Sequence, residues 1–155
     1  MVMLNIVLYQ PEIPHNTGAV GRLCLATGAR LHLIKPLGFS LEDKYLKRSG
    51  LDYWAEVQVQ VWDSWEQMRD HAGPKAHFMF IECQGAGTYW QADLQSPEEL
   101  YLVYGPETSG IPTQLMDQYP DQTWHIPMQG TRSLNLSTAV AIVLYEAVRQ
   151  RSLTT

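Results

Sequence analysis

Six short apolar runs, separated by stretches of helical spacing, constrain this chain more than any other feature. The runs are Met3–Leu8, Leu31–Ile34, Val57–Trp62, His77–Glu82, Leu100–Tyr104 and Thr123–Ile126. Helical patterns cover Thr17–Thr27, Leu41–Arg48, Ser64–His71, Thr113–Gln118 and Ser133–Arg151. Strand–helix alternation predicts an α/β fold: a parallel sheet with helices on both faces. No internal repeat, low-complexity stretch or linker interrupts it, and 155 residues fit one domain, 1–155, with its own core. In such sheets ligands bind beyond the carboxyl ends of the strands, in the loops that lead into helices. Loops of unusual composition at those positions therefore mark the site.

Several classes are excluded first. No apolar run reaches the ~18 residues of a membrane span. No charged-then-apolar leader opens the chain, so a cytoplasmic protein is expected. The net charge of -5 argues against indiscriminate nucleic-acid binding but leaves room for a small basic site. Cys24 and Cys83 form no Cys-x-x-Cys pair and are read as reduced and structural. His15, His32, His71, His77 and His125 lack the i, i+4 spacing of a zinc pair, so no metal is expected.

Three strand-end loops stand out. The first is QPEIPHNTGAVGRLC, Gln10 to Cys24. Its prolines stiffen the backbone, Asn16 or Thr17 can cap the helix, and Gly18 permits close approach. Val20, Leu23, Cys24 and Thr27 share one helical face, and Arg22 points away from it beside Ala19 and Ala26. Arg22 is either a solvated arginine or a residue against which another surface packs. The second loop is YGPETSGIP, Tyr104 to Pro112, a rigid Gly/Pro turn enclosing Glu107. That carboxylate either accepts backbone N–H bonds or meets a ligand or an arginine.

The third loop is IPMQGTRSLNLS, from Ile126 to Ser137, directly before an apolar helix. One cap needs one polar residue, and this stretch holds several. Neither a Gly-x-Gly-x-x-Gly fingerprint nor a P-loop lysine is present, and the serines lack a paired histidine. Chemistry built from these loops depends on positioning more than on a nucleophile.

Together the clauses Asn16-Thr-Gly-Ala-Val-Gly-Arg22, Gly105-Pro-Glu107-Thr-Ser-Gly110-Ile-Pro112 and Ile126-Pro-Met128 leading to Ser133-Leu-Asn135-Leu-Ser137 resemble the SPOUT class of RNA methyltransferases. The similarity extends over LNIVLYQPEIPHNTG and LHLIKPLGF to essentially the whole chain. Within the class the sequence looks most like the compact tRNA wobble-position 2′-O-methyltransferases, which modify nucleotide 34 of certain leucine tRNAs.

The resemblance implies a C-terminal deep trefoil knot, which general rules of chain threading would not have chosen. It implies S-adenosylmethionine as cofactor, with S-adenosylhomocysteine as product, bound by Ile81, Glu82, Cys83, Gly105, Glu107, Gly110, Ile126, Met128, Ser133 and Leu134. It assigns catalytic roles to Arg22, Asn16, Glu107, Ser133 and Asn135. RNA contacts fall to Arg22, Lys44, Lys47, Arg48 and Arg132, although a cluster such as Lys44, Lys47 and Arg48 is more often a solvated helix face. A sulfonium methyl is already activated, so the enzyme's work is alignment, which can supply ~7–11 kcal/mol of a barrier. The alternatives are another tRNA position or ribosomal RNA as substrate, and a silent cofactor- or RNA-binding module.

A homodimer is expected as well. The last helix is apolar on most sides: Leu136, Val140, Val143, Leu144 and Ala147 fill one face, with Leu134, Ala141, Ile142, Tyr145 and Val148 around the rest. Such a helix needs cover on more than one side. Ala19, Leu25 and Ala26 extend the surplus onto the first helix. A two-fold pair would bring Arg22 of one chain near the cofactor loops of the other.

Overall fold

The expected alternation closes into one seven-stranded parallel sheet in the computed structural model, which describes residues 3–44, 46, 51–130 and 133–152. In chain order the elements are β1 (Met3–Tyr9), α1 (Pro14–Thr27), β2 (Arg30–Ile34), a 3-10 turn (Leu51–Glu56), β3 (Val59–Trp62), α2 (Trp65–Ala72), β4 (Ala76–Ile81), β5 (Gly87–Thr88), a second 3-10 turn (Tyr89–Gln91), β6 (Glu99–Tyr104), α3 (Thr113–Met116), β7 (Thr123–His125) and α4 (Leu136–Ser152). The strand order is β3-β2-β1-β6-β4-β7-β5. Central strands buried on both faces explain why β1, β4 and β6 read as nearly continuous apolar runs.

Alternate side chains feed two cores. Ile6, Leu8, Leu31, Leu33, Leu100 and Leu102 pack on one face against Val20 and Cys24 of α1 and Val140, Val143, Leu144 and Ala147 of α4. Val7, Ile34, Phe78, Phe80 and Val103 pack on the other against Trp65 and Met68 of α2 and Leu115 of α3. The buried face of α4, Leu136, Val140, Val143, Leu144 and Ala147, is the set its spacing predicted.

Boundaries shift for local reasons. α1 begins at Pro14, because a residue with no N–H suits the first turn. Asn16 and Thr17 therefore lie inside the helix and do not cap it. α4 begins at Leu136, not Ser133: Asn135 Oδ1 accepts the N–H groups of Ser137 (3.0 Å) and Thr138 (3.4 Å), the role of a capping residue. β3 starts two residues later than the apolar run suggested, after the unexpected Leu51–Glu56 turn. Of the expected Leu41–Arg48 helix, Lys44 and Leu46 are helical, and Lys47 and Arg48 lie outside the described residues.

The short β5 also has no counterpart in the sequence reading, and it creates the least ordinary feature of the sheet. β7, late in the chain, sits between β4 and β5, which are joined by a short connector. Trp124 pairs with Ile81 on one side and Gly87 on the other. The connector crosses so closely that a Cβ on Gly85 would lie 2.4 Å from the Trp124 carbonyl carbon. Only glycine fits there. A strand from late in the chain thus lies between two strands that are joined earlier in it.

Candidate active site

The carboxyl ends of β4, β6 and β7 open into a cavity of about 510 Å³. The β4 exit contributes Ile81, Glu82 and Cys83; the β6 exit contributes Gly105, Glu107 and Gly110; the β7 exit contributes Ile126, Met128, Ser133, Leu134 and Asn135. Asn16 reaches it from α1. The three loops singled out by composition thus converge on one space, although 119 positions separate Asn16 from Asn135.

Carboxylates and carboxamides hold the loops together. Glu107 Oε1 accepts the Glu12 N–H at 2.8 Å, and its Oε2 accepts the Ile13 N–H at 2.9 Å and the Asn16 amide at 3.2 Å. Of the two readings left open for Glu107, the backbone-accepting one describes its position. The carboxylate supplies the N-terminal partner that Ile13, with no side-chain oxygen, cannot give α1. Glu12 returns the clasp, accepting the Thr108 N–H at 2.9 Å and its hydroxyl at 2.8 Å. Those bonds hold the Glu12 carboxyl below its usual range.

Asn16 is spent at both ends: it donates to Glu107, and its Oδ1 accepts from Asn135 Nδ2 at 3.0 Å. Asn135 Oδ1 also accepts the Ser137 hydroxyl at 2.6 Å. Glu82 ties the β4 exit to the β6 loop by accepting the N–H groups of Ile111 (2.8 Å) and Cys83 (2.9 Å). Every acid at the cavity is therefore engaged in holding backbone.

Arg22 is the exception among the sequence candidates. It does not line the cavity; it lies exposed on α1, with its guanidinium carbon 5.6 Å from the centroid of the Tyr53 ring. Lys44 is exposed, and Arg132, with Lys47 and Arg48, falls outside the described residues. Cys24 is buried, and burial pushes its thiol up to about 12, in keeping with a structural role. Cys83 is exposed at the cavity.

Sequence reasoning missed Glu12, Ile13 and Thr108. The polar pair could have been flagged by lying beside Pro11 and Glu107, but nothing local said that the two loops would meet. It also missed Leu136 and Ala139, which wall the cavity from the first turn of α4.

A parallel α/β domain whose strand-end loops enclose one cavity, with polar groups spent on holding loops, defines a site that binds and aligns. The chain belongs to the SpoU rRNA Methylase family, whose model matches residues 3–145. It is 47% identical over 150 residues to the tRNA (cytidine(34)-2'-O)-methyltransferase of Methylovorus glucosotrophus, covering 96% of each chain. A solved structure described as giving insights into the 2-OH methylation of C/U34 on tRNA matches with a TM-score of 0.91 and 43% identity, covering 97% of each chain. The SpoU methyltransferase AviRb from Streptomyces viridochromogenes, solved in complex with AdoMet, matches with a TM-score of 0.82 and 28% identity, covering 97% of this chain and 61% of that one.

Proposed function

We propose that this chain is a cytoplasmic, S-adenosylmethionine-dependent tRNA methyltransferase that modifies the ribose 2′-oxygen of wobble nucleotide 34 in leucine tRNAs. The observation that carries the reading is a cavity walled by all three motif loops. Its size falls in the ~300–1,000 Å³ range of small-molecule sites. Ile81, Ile126, Met128 and Leu134 offer apolar faces for a purine, and the loop backbones run along the edges. These residues fit the cofactor named in the AviRb complex. Bound there, it would supply an activated methyl group.

The chain's own residues then have two tasks. Glu107, Asn16 and Asn135 fix the loops relative to one another, so that a bound nucleotide meets a preset geometry. Arg22 grips an RNA phosphate and stabilises charge developing on the 2′-oxygen. A guanidinium, with its charge delocalised over three nitrogens, is a poor free base. Because Arg22 lies outside the cavity of its own chain, this role requires a second copy. Leu25 on α1 and Tyr145 on α4, both exposed large apolar residues, lie on faces that a two-fold partner would cover.

The decisive experiment incubates the protein with methyl-labelled S-adenosylmethionine and bulk tRNA and maps the labelled ribose. Label at nucleotide 34 of leucine tRNAs is expected. Label at another position, or in ribosomal RNA only, overturns the substrate; binding of NAD or ATP in place of the cofactor overturns the reaction. Mixing Arg22→Ala chains with chains defective only in the cofactor loop should restore turnover. Absence of rescue, or full activity from a monomer by light scattering, sinks the shared site.

A further inference from the structure

We infer that Tyr53 is a positioning residue for the reaction: its ring holds the Arg22 guanidinium in place while leaving the hydrogen-bond donors of that group open to the nucleotide. The inference rests on the role proposed for Arg22. It starts from a difficulty in that role. A long, exposed arginine samples many rotamers, and ordering it on substrate binding costs free energy. Pairing it with a carboxylate would order it, but would also cancel its charge and occupy its donors. A preset phosphate-gripping arginine needs a partner that restrains the plane of the cation and takes none of its N–H groups.

The face of an aromatic ring meets that requirement. A guanidinium stacked on a ring is attracted by the ring's quadrupole within about 6 Å of the centroid. Its five N–H donors lie in the cation's plane and project past the ring edge. Arg22 stands 5.6 Å from the Tyr53 centroid. Among the described residues, none of the ion pairs involves Arg22, and no carboxylate accepts from it. Tyr53 is itself 39% exposed, so the pair sits where a polyanion can reach it.

The ring does not hang free. It belongs to the Leu51–Glu56 turn, and the neighbouring residue Trp54 seats that turn on α1. The seat is Gly21, beside Arg22 in the chain: a Cβ there would come 2.7 Å from Trp54 Cζ3 and 3.5 Å from Val57 Cγ2. Gly21 is buried although α1 turns Arg22 outward. One position thus gives up its side chain to dock the turn, and the next uses the ring which that docking presents. Gly21-Arg22 and Tyr53-Trp54 act as two matched pairs.

The test measures methyl transfer to tRNA at saturating cofactor, with cofactor affinity and the thermal midpoint recorded for each variant. Tyr53→Leu is expected to lower kcat/KM for tRNA about threefold to tenfold, with cofactor affinity unchanged. Tyr53→Phe keeps the ring and recovers the lost turnover. Coupling separates positioning from general support: Tyr53→Leu should weaken tRNA binding in the wild-type background and have little further effect in Arg22→Ala. Gly21→Ala should resemble Tyr53→Leu, because it unseats the same turn. If Tyr53→Leu proves unstable, Gly21→Ala and the comparison of Tyr53→Phe with Tyr53→His carry the same test.

Near-wild-type turnover of Tyr53→Leu beside an inactive Arg22→Ala overturns this inference and leaves the function standing. Equal losses from Tyr53→Leu in both backgrounds also overturn it, as does a Tyr53→Phe variant as impaired as Tyr53→Leu. Near-normal turnover of Arg22→Ala overturns the role of Arg22 itself.

Discussion

Two networks of polar side chains cross this molecule, and they differ in what they leave open. The first spans one face of the sheet. Trp62 Nε1, a donor only, bonds to His32 Nδ1 at 3.1 Å, so His32 Nε2 carries the proton and donates to Asn5 Oδ1 at 2.9 Å. Asn5 Nδ2 donates in turn to the Leu100 carbonyl at 3.3 Å. Asn5 is 0% exposed and His32 2%. Every hydrogen-bonding atom of these two side chains is spent inside the protein. The second network is the clasp of Glu12, Glu107, Asn16, Asn135 and Thr108. It uses the same kinds of group, but Thr108 is exposed, Glu107 is half-buried, and the cavity borders it. A sealed network can serve only the fold, because nothing else reaches it. An open network of equal order sets the walls of a site.

This contrast predicts different failures. The largest effect belongs to the sealed network. Burial first, then the positive charges of Arg30 and His71, lower the His32 pKa from 6.5 to about 4. Between those values the unfolded chain takes up a proton that the native ring refuses, so stability falls as pH falls. The native state should lose about 3 kcal/mol from this group between pH 6.5 and 4, and none above that window. Urea unfolding across the range, with His32→Gln as reference, measures it. Equal slopes for the two proteins would show that His32 is not the source.

The next effect breaks the open network. Glu107→Ala leaves the Glu12 and Ile13 N–H groups without their partner at a half-exposed loop, a cost of only about 1 kcal/mol in stability. Misplacement of the loops should cost far more in rate, about a hundredfold. Kinetics and calorimetry on the same preparation decide the matter. A collapsed thermal midpoint with full turnover from the folded fraction would reverse the comparison. The smallest effect sharpens it. Thr108→Val removes the hydroxyl bond to Glu12 but keeps the backbone N–H bond at 2.9 Å. Cofactor affinity should then fall by about threefold at most. A tenfold loss would mean that the hydroxyl itself meets the ligand.

Much of this was legible in the chain. The periodicities located six strands and the buried face of α4, because a core-facing side chain repeats at the period of its own element. The three loops announced themselves by composition, and their convergence followed from the rule that strand ends gather in a parallel sheet. β5 did not announce itself: a strand of two residues, Gly87–Thr88, has no period to read. The first 3-10 turn was also missed, since Leu51–Glu56 matches neither template.

The sequence by itself determined the strands, most of the helices, the two-sided core and which loops carry chemistry, because each depends on residues close together in the chain. Only the tertiary structure decided that β7 inserts between β4 and β5, that Glu107 holds the start of α1 91 positions away from it at Asn16, and that Arg22 rests on Tyr53 outside the cavity. These are pairings between distant segments. Local propensity assigns each segment its shape but gives no energy to one partner over another. That choice comes from burial, from backbone groups that must be satisfied, and from glycines such as Gly21 and Gly85, where two segments can approach without a side chain between them.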